Sequence, residues 1–560
     1  MITLGLVLLA GLGPQAGMSG SEDAADLVLT GGAVVTLEES IPRARAVAVR
    51  GGRIVAVGDA DDIAPFVGPR TRHLDLAGRM VVPGFTDAHA HVEGLGRSLE
   101  VLDLVGTESL EAVKRRVARA ASALPPGEWL EGRGWDQNDW PEARFPSARD
   151  LDAVVADRPV WLTRIDGHAG WANSMALARA GVSSSTEDPV GGRLIRDPEG
   201  RPTGVLIDAA TDLVEAKVPR PGPEVRRRRL LRGLHACAAA GITSVHDAGV
   251  DLETVRLYKE LLAEDRLPIR VYVMLMGPEG FLAGGPGLRP EVGLGDGRLT
   301  VRAVKLLADG ALGSRGALLL EPYTDEPARR GLLTIEPSVL QTVLKRALAQ
   351  GFQVATHAIG DGANRLVLDA YEKAFGGRSG AAFRFRIEHA QVVAASDVAR
   401  FVSLGVIPSV QPTHCTSDMC WAGDRLGPDR LHDAYRWRSF LDLGLPVPGG
   451  SDAPVESVAV IPGLYAAVTR QDAKEWPPGG FEPQERVSLR EALSMFTRHA
   501  AYAAFEEDDR GSITPGKRAD LTVLDRDLTR LPPERWLSTK VVLTLVGGRP
   551  AFGEIEAVSP

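Results

Sequence analysis

The sequence predicts an α/β protein. Its main body is a (β/α)8 TIM-like barrel with an inserted subdomain after strand one, joined to a small β-sandwich split between the N- and C-terminal segments. Three observations predict this. Eight short apolar, β-branched runs alternate with helical stretches through the middle of the chain. Polar residues gather at the C-terminal ends of those runs, the face on which a barrel of this type carries its chemistry. A strand-rich texture with Gly-Gly and Gly-Arg turns appears only near the two ends of the chain.

At the N-terminus, Ile2 to Leu12 is an apolar run as long as a signal-peptide core and too short to span a bilayer. No Lys or Arg precedes it and no clean small-x-small cleavage site follows. Residues 1–24 are therefore read as a signal peptide or a disordered leader, and the location as exported (periplasmic or secreted) if that signal is real and otherwise cytoplasmic. No other segment suits stable membrane insertion. From Asp26 the pieces "LVLTGGAVVTL", "AVAVRGGRIVAVG" and "RHLDLAGRMVVPGF" read as hairpins. Their texture returns in "GSITPGKRADLTVLDRD" and "KVVLTLVGGRPAFG". Residues 25–82 and 511–560 are thus assigned to one split sandwich, and 83–510 to the barrel.

The eight barrel strands are expected at Met80–His91, Gly241–Gly249, Ile269–Met276, Arg302–Gly310, Phe352–Gly360, Phe385–Gln391, Val406–His414 and Leu445–Val455. About 150 residues separate the first two. That is too long for one helix, so an insertion subdomain is placed at about 100–230.

With 64 basic and 73 acidic residues the net charge is −9, which argues against a nucleic-acid partner. The run Arg226–Arg229 reads as a solvated helix face. Three cysteines, Cys237, Cys415 and Cys420, are too few and too badly spaced for a disulfide framework or a cysteine-rich zinc site.

The chemistry-bearing residues repeat by position. Strand one ends in His89-x-His91, whose side chains point the same way in an extended chain. Strand four carries Lys305, strand five ends at His357, strand six at His389 and strand eight at Asp452. One such residue would be unremarked. Four of the chain's eleven histidines and an aspartate at equivalent strand ends form a ligand set for zinc or a similar divalent ion. His89, His91 and Asp452 would hold one ion, and His357 and His389 a second. No Asp or Glu on strand four reaches the gap between them; Lys305 does. A lysine bridges two cations only as a carbamate, formed when its neutral amine takes up carbon dioxide. Burial and nearby cations favour that neutral amine.

The ordered strings "PGFTDAHAH", "DGHAGWANSMAL", "VKLLADGALGSRGALL", "THAIGDGANRLVLDAYE", "RIEHAQ", "SVQPTH" and "GGSDAPV" resemble the amidohydrolase superfamily, in its YtcJ-like branch that includes N-substituted formamide deformylases. The resemblance runs from about Ala25 to Gly553. It departs from the family at Leu307, where a phenylalanine is usual. It implies a metal-dependent hydrolase of non-peptide carbon–nitrogen bonds, usually with zinc and here with two Zn ions bridged by carbamylated Lys305. The expected substrate is a small amide or N-substituted formamide, attacked by a metal-activated hydroxide with Asp452 as general base and then acid. A mononuclear deaminase-like site on the same fold is the second reading, and a non-catalytic barrel scaffold a third. A homo-oligomer is compatible with everything above.

Further residues are assigned to substrate or to orienting the ligands. His168, with Asp166 and Asn173, lies on the insert, in a string that the resemblance places over the barrel mouth. His246 and His414 close strands two and seven. Gln411, Asp309 and Arg315 follow. Glu388 is expected to point away from the metal into an ion pair, because neighbours on a strand face opposite sides. The same rule argues against a Cys415–His414 nucleophile pair. His73, His235, His432 and His499 are read as structural. Trp135, Trp140, Trp171 and Trp421 hint at an apolar or aromatic N-substituent.

Overall fold

The computed structural model describes residues 24–125 and 127–555. The apolar run Ile2–Leu12 lies outside the described residues. Among the described residues no helix is long and apolar enough to cross a membrane.

Seven parallel strands form the barrel: β1 (Phe85–Ala90), β2 (Ile242–Val250), β3 (Arg270–Met276), β4 (Leu299–Leu307), β5 (Gln353–Ala358), β6 (Arg386–His389) and β7 (Ile407–Ser409). Each pairs with its neighbour in chain order. The eighth position is an extended segment rather than a regular strand. Val410 bridges Gly449 in parallel. On the other side, the Ala88 N–H donates to the Gly449 carbonyl at 3.0 Å and the Asp452 N–H to the His89 carbonyl at 2.7 Å, which closes the ring. The buried valines, leucines and isoleucines of β2–β6 pack with surrounding helices in one large core.

The expected first strand proves to be two. Met80–Pro83 belongs to the sandwich, where it lies between Ala33–Val35 and Leu521–Leu524. The chain passes into β1 at Gly84, where a Cβ would meet the Thr243 side chain at 2.3 Å. Glycine is required there by close approach. The sandwich has a four-stranded sheet (Leu27–Thr30, Ala46–Arg50, Arg53–Gly58 and Arg72–Asp75) and a six-stranded sheet drawing on both ends of the chain. Leu27, Leu29, Val47, Val81, Leu521 and Leu545 fill the space between them. The buried pair Arg270–Asp520, 2.7 Å apart, ties β3 to the sandwich.

The insert has its own six-stranded sheet, from Leu102–Asp103 to Pro202–Asp208. Helix Leu110–Ser122 is capped by the Ser109 hydroxyl, which accepts the Ala112 N–H at 3.2 Å. Val113, Val117 and Ala121, four residues apart, face this sheet. Trp135, Trp140 and Trp171 are packed together in the same cluster, with ring centres 5.9–6.5 Å apart. These three are packing anchors, and the hint that they contact substrate does not survive. The chain re-enters the barrel through helix Pro223–Ala239. Its arginines 226–229 pair with Glu93, Glu100, Asp251, Glu253 and Glu264, so the basic run is a salt-bridged helix face.

Candidate metal centre

The residues at the C-terminal ends of the strands converge on one point. His89 is fully buried on β1. Its Nδ1 meets the Glu388 carboxylate, and its Nε2 lies 3.0 Å from Lys305 Nζ. Burial and the Lys305 ammonium push the His89 pKa down to about 4, against the pull of Glu388 and Asp452. The imidazole is therefore neutral, with Nδ1–H donating to Glu388 and the Nε2 lone pair directed into the site. His91 lies one step beyond β1, at the N-cap of helix Val92–Ser98. Its Nδ1 is 2.8 Å from the Ala248 carbonyl, which turns Nε2 inward to 3.1 Å from Asp452 Oδ1.

Asp452 and His389 are both held in left-handed backbone, with φ 57° and 72°. Such conformations are costly for residues with a Cβ and persist where surrounding structure fixes them. Here they aim both side chains at the mouth. Around Asp452, burial would raise the carboxyl pKa; the imidazoles of His91, His89 and His389 outweigh it and hold it well below the ordinary carboxylate range. Burial, then His357 beside it, takes His389 well below the ordinary histidine value. His389 Nδ1 meets Gln411 Oε1 at 2.7 Å. The rings of His357 and His389 are 4.5 Å apart. His357 Nε2 lies 3.3 Å from Asp309 Oδ1. Lys305 is buried on β4, and desolvation lowers its pKa although Glu388 and Asp452 oppose this.

These donors suit a divalent cation. His89, His91 and Asp452 offer atoms within 4.8 Å of one another, as do His389, His414 and Asp452. Ligand atoms on one tetrahedral zinc, with bonds near 2.0 Å, stand about 3.3 Å apart. Asp452 Oδ1, His357 Nε2 and His414 Nε2 are buried without a hydrogen-bond partner among the described residues. Buried polar atoms left in this way are costly unless something else satisfies them.

Several expected roles change. His414 sits in helix Pro412–Asp418, not at a strand end; its ring stacks 5.8 Å from His389, and Nε2 is 3.6 Å from Asp452 Oδ2. That places it among the candidate ligands. His246 does not face the mouth: it is fully buried, with Nδ1 3.0 Å from the Arg386 guanidinium. Asp309 accepts backbone N–H groups of Leu318, Ile359 and Gly360 at 2.8–3.0 Å, so it ties the segment after β4 to the loop after β5, with Oδ1 beside His357. Gln411 holds His389 and does not line the large cavity. Arg315 is occupied by Asp325 at 2.8 Å and lines no part of that cavity either. Cys415 is buried and its thiol pushed up to about 12, which suits packing and not nucleophilic attack.

Glu388 is the main miss. It does pair with Arg386, at 2.7 Å, but it also faces inward to His89. Strand alternation gave the opposite side because it assumed that β6 continues extended; β6 ends at His389, whose positive φ re-aims it. The Arg386 and His89 contacts outweigh burial and hold Glu388 at a pKa of about 2.

The insert reaches over the mouth. His168 lines the cavity, and its ring is 5.1 Å from His357. Its Nδ1 meets Asp208 Oδ1 at 2.6 Å. Burial opposes its protonation, but the bond and charge of Asp208 prevail and raise its pKa to about 9. Asp166 instead pairs with the buried Arg164, and Asn173 caps helix Ser174–Ala180 through the Ala176 N–H at 2.9 Å. Arg133 and Arg164, which the sequence did not single out, also face the cavity.

A family model described as "Amidohydrolase family" matches residues 72–552. The chain belongs to the amidohydrolase family. Among curated proteins it is 36% identical to Protein LONG AFTER FAR-RED 3 of Arabidopsis thaliana, covering 97% of this chain and 94% of that one. It is 33% identical to the putative amidohydrolase YtcJ of Bacillus subtilis strain 168 (93% and 98%) and 30% identical to N-substituted formamide deformylase of Arthrobacter pascens (93% and 97%). Among solved structures, an uncharacterized metal-dependent hydrolase from Pyrococcus horikoshii OT3 superposes with TM-score 0.73 at 28% identity, covering 91% of this chain and 99% of that one. Amidohydrolase membership fits the barrel, the split sandwich and the convergent donors, and identifies the chain as a metal-dependent hydrolase.

Proposed function

We propose that this amidohydrolase cleaves the non-peptide carbon–nitrogen bond of amide-type small molecules. The observation that carries the reading is the convergence of His89, His91, His389, His414 and Asp452 on shared points at the barrel mouth, beneath a cavity that the insert covers. The formamide deformylase relative supports the bond type. His89, His91 and Asp452 would hold one divalent ion, zinc being the natural candidate for this donor set. His389, with His357 or His414, would hold a second, and Lys305, as a carbamate, would lie between the two. When bound, the metal would polarise a carbonyl and supply a nucleophile from water at neutral pH.

The chain's own residues do the rest. Glu388 and the Ala248 carbonyl fix the tautomers of His89 and His91, so each presents Nε2. Asp452, kept ionised by its imidazole neighbours, can take a proton on its carboxylate and return it to the departing amine. His168, protonated against Asp208, is placed to donate to a substrate oxygen above His357.

The test is hydrolysis of N-substituted amides, formamides, lactones and cyclic imides by zinc-reconstituted protein, with Asp452→Asn beside it. Turnover of an amide, lost by about 10²–10⁴-fold in the variant, is the expected result. Full activity in Asp452→Asn would remove its acid–base role. Metal binding without turnover of any compound would favour a non-catalytic barrel. One equivalent of metal at full activity would favour the mononuclear reading.

A further inference from the structure

The cavity over the metal centre has two lobes, and three of the candidate ligands, His357, His389 and Asp452, lie where they join. One lobe, of about 540 Å³, stands over the β2–β4 side, with Gly249, Met276, Leu307 and Thr211 in its wall. The other, of about 710 Å³, stands over the β5–β7 side, with Ile359, Gln391, Ser417 and Trp421 in its wall. His357, His389 and Asp452 line both. So do Arg133, Arg164 and His168 of the insert, which reach down between the lobes.

Each lobe alone has the volume of a small-molecule site. A reacting carbonyl must sit at the junction, against the residues common to both lobes. From a carbonyl carbon the two substituents diverge: the acyl group one way, the nitrogen and its substituent the other. A formamide carries only hydrogen on its carbonyl carbon. It would fill one lobe and leave the other to water.

We propose that the substrate is an amide with a substantial group on each side of the scissile bond, its acyl group in one lobe and its N-substituent in the other. The class is thereby narrowed from amides in general to N-substituted amides of a sizeable carboxylic acid. The lobe walls support an apolar contribution from each side. Met276, at the end of β3, is 38% exposed into the first; Leu99 and Val105, on the rim of the second, are 57% and 44% exposed. Apolar surface left open around a cavity is buried when a ligand of matching shape enters. Burying a phenyl-sized group is worth at least about tenfold in affinity.

The choice of reaction rests on the hydrolase reading above, and the test separates the two. Three compounds suffice: N-benzyl-3-phenylpropanamide, large on both sides; N-benzylformamide, lacking the acyl group; and 3-phenylpropanamide, lacking the N-substituent. With zinc-loaded protein, kcat/KM for the first is expected to exceed both others by tenfold or more. Cleavage of N-benzylformamide at an equal or higher kcat/KM overturns the inference and leaves the hydrolase reading intact. If none of the three is cleaved, the choice of an amide bond is what fails, and the wider panel above tests the hydrolase itself. Titration calorimetry on the same protein then decides the inference: tenfold tighter binding of the two-sided amide supports it, and equal affinities overturn it.

Two variants assign the lobes. Met276→Trp narrows the first and Val105→Trp the second, both at exposed positions that tolerate bulk. Each is expected to lower kcat/KM, or affinity, for the two-sided amide severalfold more than for one of the one-sided compounds, and the affected compound should differ between the variants. Equal losses on all three compounds would mark the narrowed lobe as a solvent or access path and overturn the two-sided assignment.

Discussion

Lys305 Nζ lies 3.0 Å from His89 Nε2, the nitrogen that the Glu388 contact leaves free to bind a cation. As a plain ammonium, Lys305 therefore competes with metal for the His89 lone pair. A carbamate on Lys305 would turn that competitor into a ligand, as proposed above.

The first prediction follows. Protein reconstituted with metal in ¹³C-labelled bicarbonate should show a carbamate carbon resonance, and Lys305→Ala should lack it. Metal content should fall when bicarbonate is removed during reconstitution. Metal uptake that ignores bicarbonate would leave Lys305 as an unmodified neighbour of the site.

Glu388 fixes the His89 tautomer and neutralises Arg386 in a fully buried pair. Glu388→Gln should weaken metal affinity by about 10–100-fold, the usual cost of removing an orienting partner. It should also destabilise the fold by about 3–5 kcal/mol, because Arg386 loses its counter-charge. Calorimetric metal titration and urea unfolding measure the two effects separately.

His168 is held protonated by Asp208. With its pKa near 9 in the fold and about 6.5 in the unfolded chain, it binds the extra proton on folding. That stabilisation is full below about pH 6.5 and is lost as pH rises through about 9. Asp208→Asn removes the main partner and leaves burial, which lowers the pKa, against the weaker pull of Asp166 and Asp452. NMR titration of His168 in the metal-free protein should therefore show its midpoint fall from near 9.

Asp520 is the opposite case. Burial would raise its pKa, but Arg270 and Arg510 outweigh burial and lower it below the ordinary aspartate value. Its contribution is present above the unfolded pKa of about 3.9 and fades as pH falls through the lower folded value. Asp520→Asn should cost about 3–5 kcal/mol at pH 7, where a buried arginine loses its partner. The difference from wild type should shrink in urea unfolding at pH 3 and below.

Much of the fold was legible because it depends on local period and residue type. β-branched runs of four to nine residues marked β2–β6, and histidines at their ends needed only strand counting to be aligned. What failed were features set by contacts distant in sequence. The Met80–His91 run looks continuous, yet the sandwich claims its first half through Leu521–Leu524, more than four hundred residues away. Leu445–Val455 has the composition of a strand, but its Gly449-Gly450 pair and the positive φ at Asp452 prevent regular pairing. Glu388 and His389 were put on opposite sides by an alternation that stops where β6 does. No local signal could have joined Asp208 to His168, since that pair exists only after the insert folds back on itself.

The sandwich carries a consequence for the order of events during synthesis. Its six-stranded sheet places Met80–Pro83 between an N-terminal strand and Leu521–Leu524. While the ribosome works through the barrel, this edge of Met80–Pro83 has no partner, and exposed strand edges invite pairing with other chains. The four-stranded sheet draws only on residues 27–75, but the six-stranded one must wait for the last tenth of the polypeptide before it can close, so the Met80–Pro83 edge stays open to self-association over most of translation.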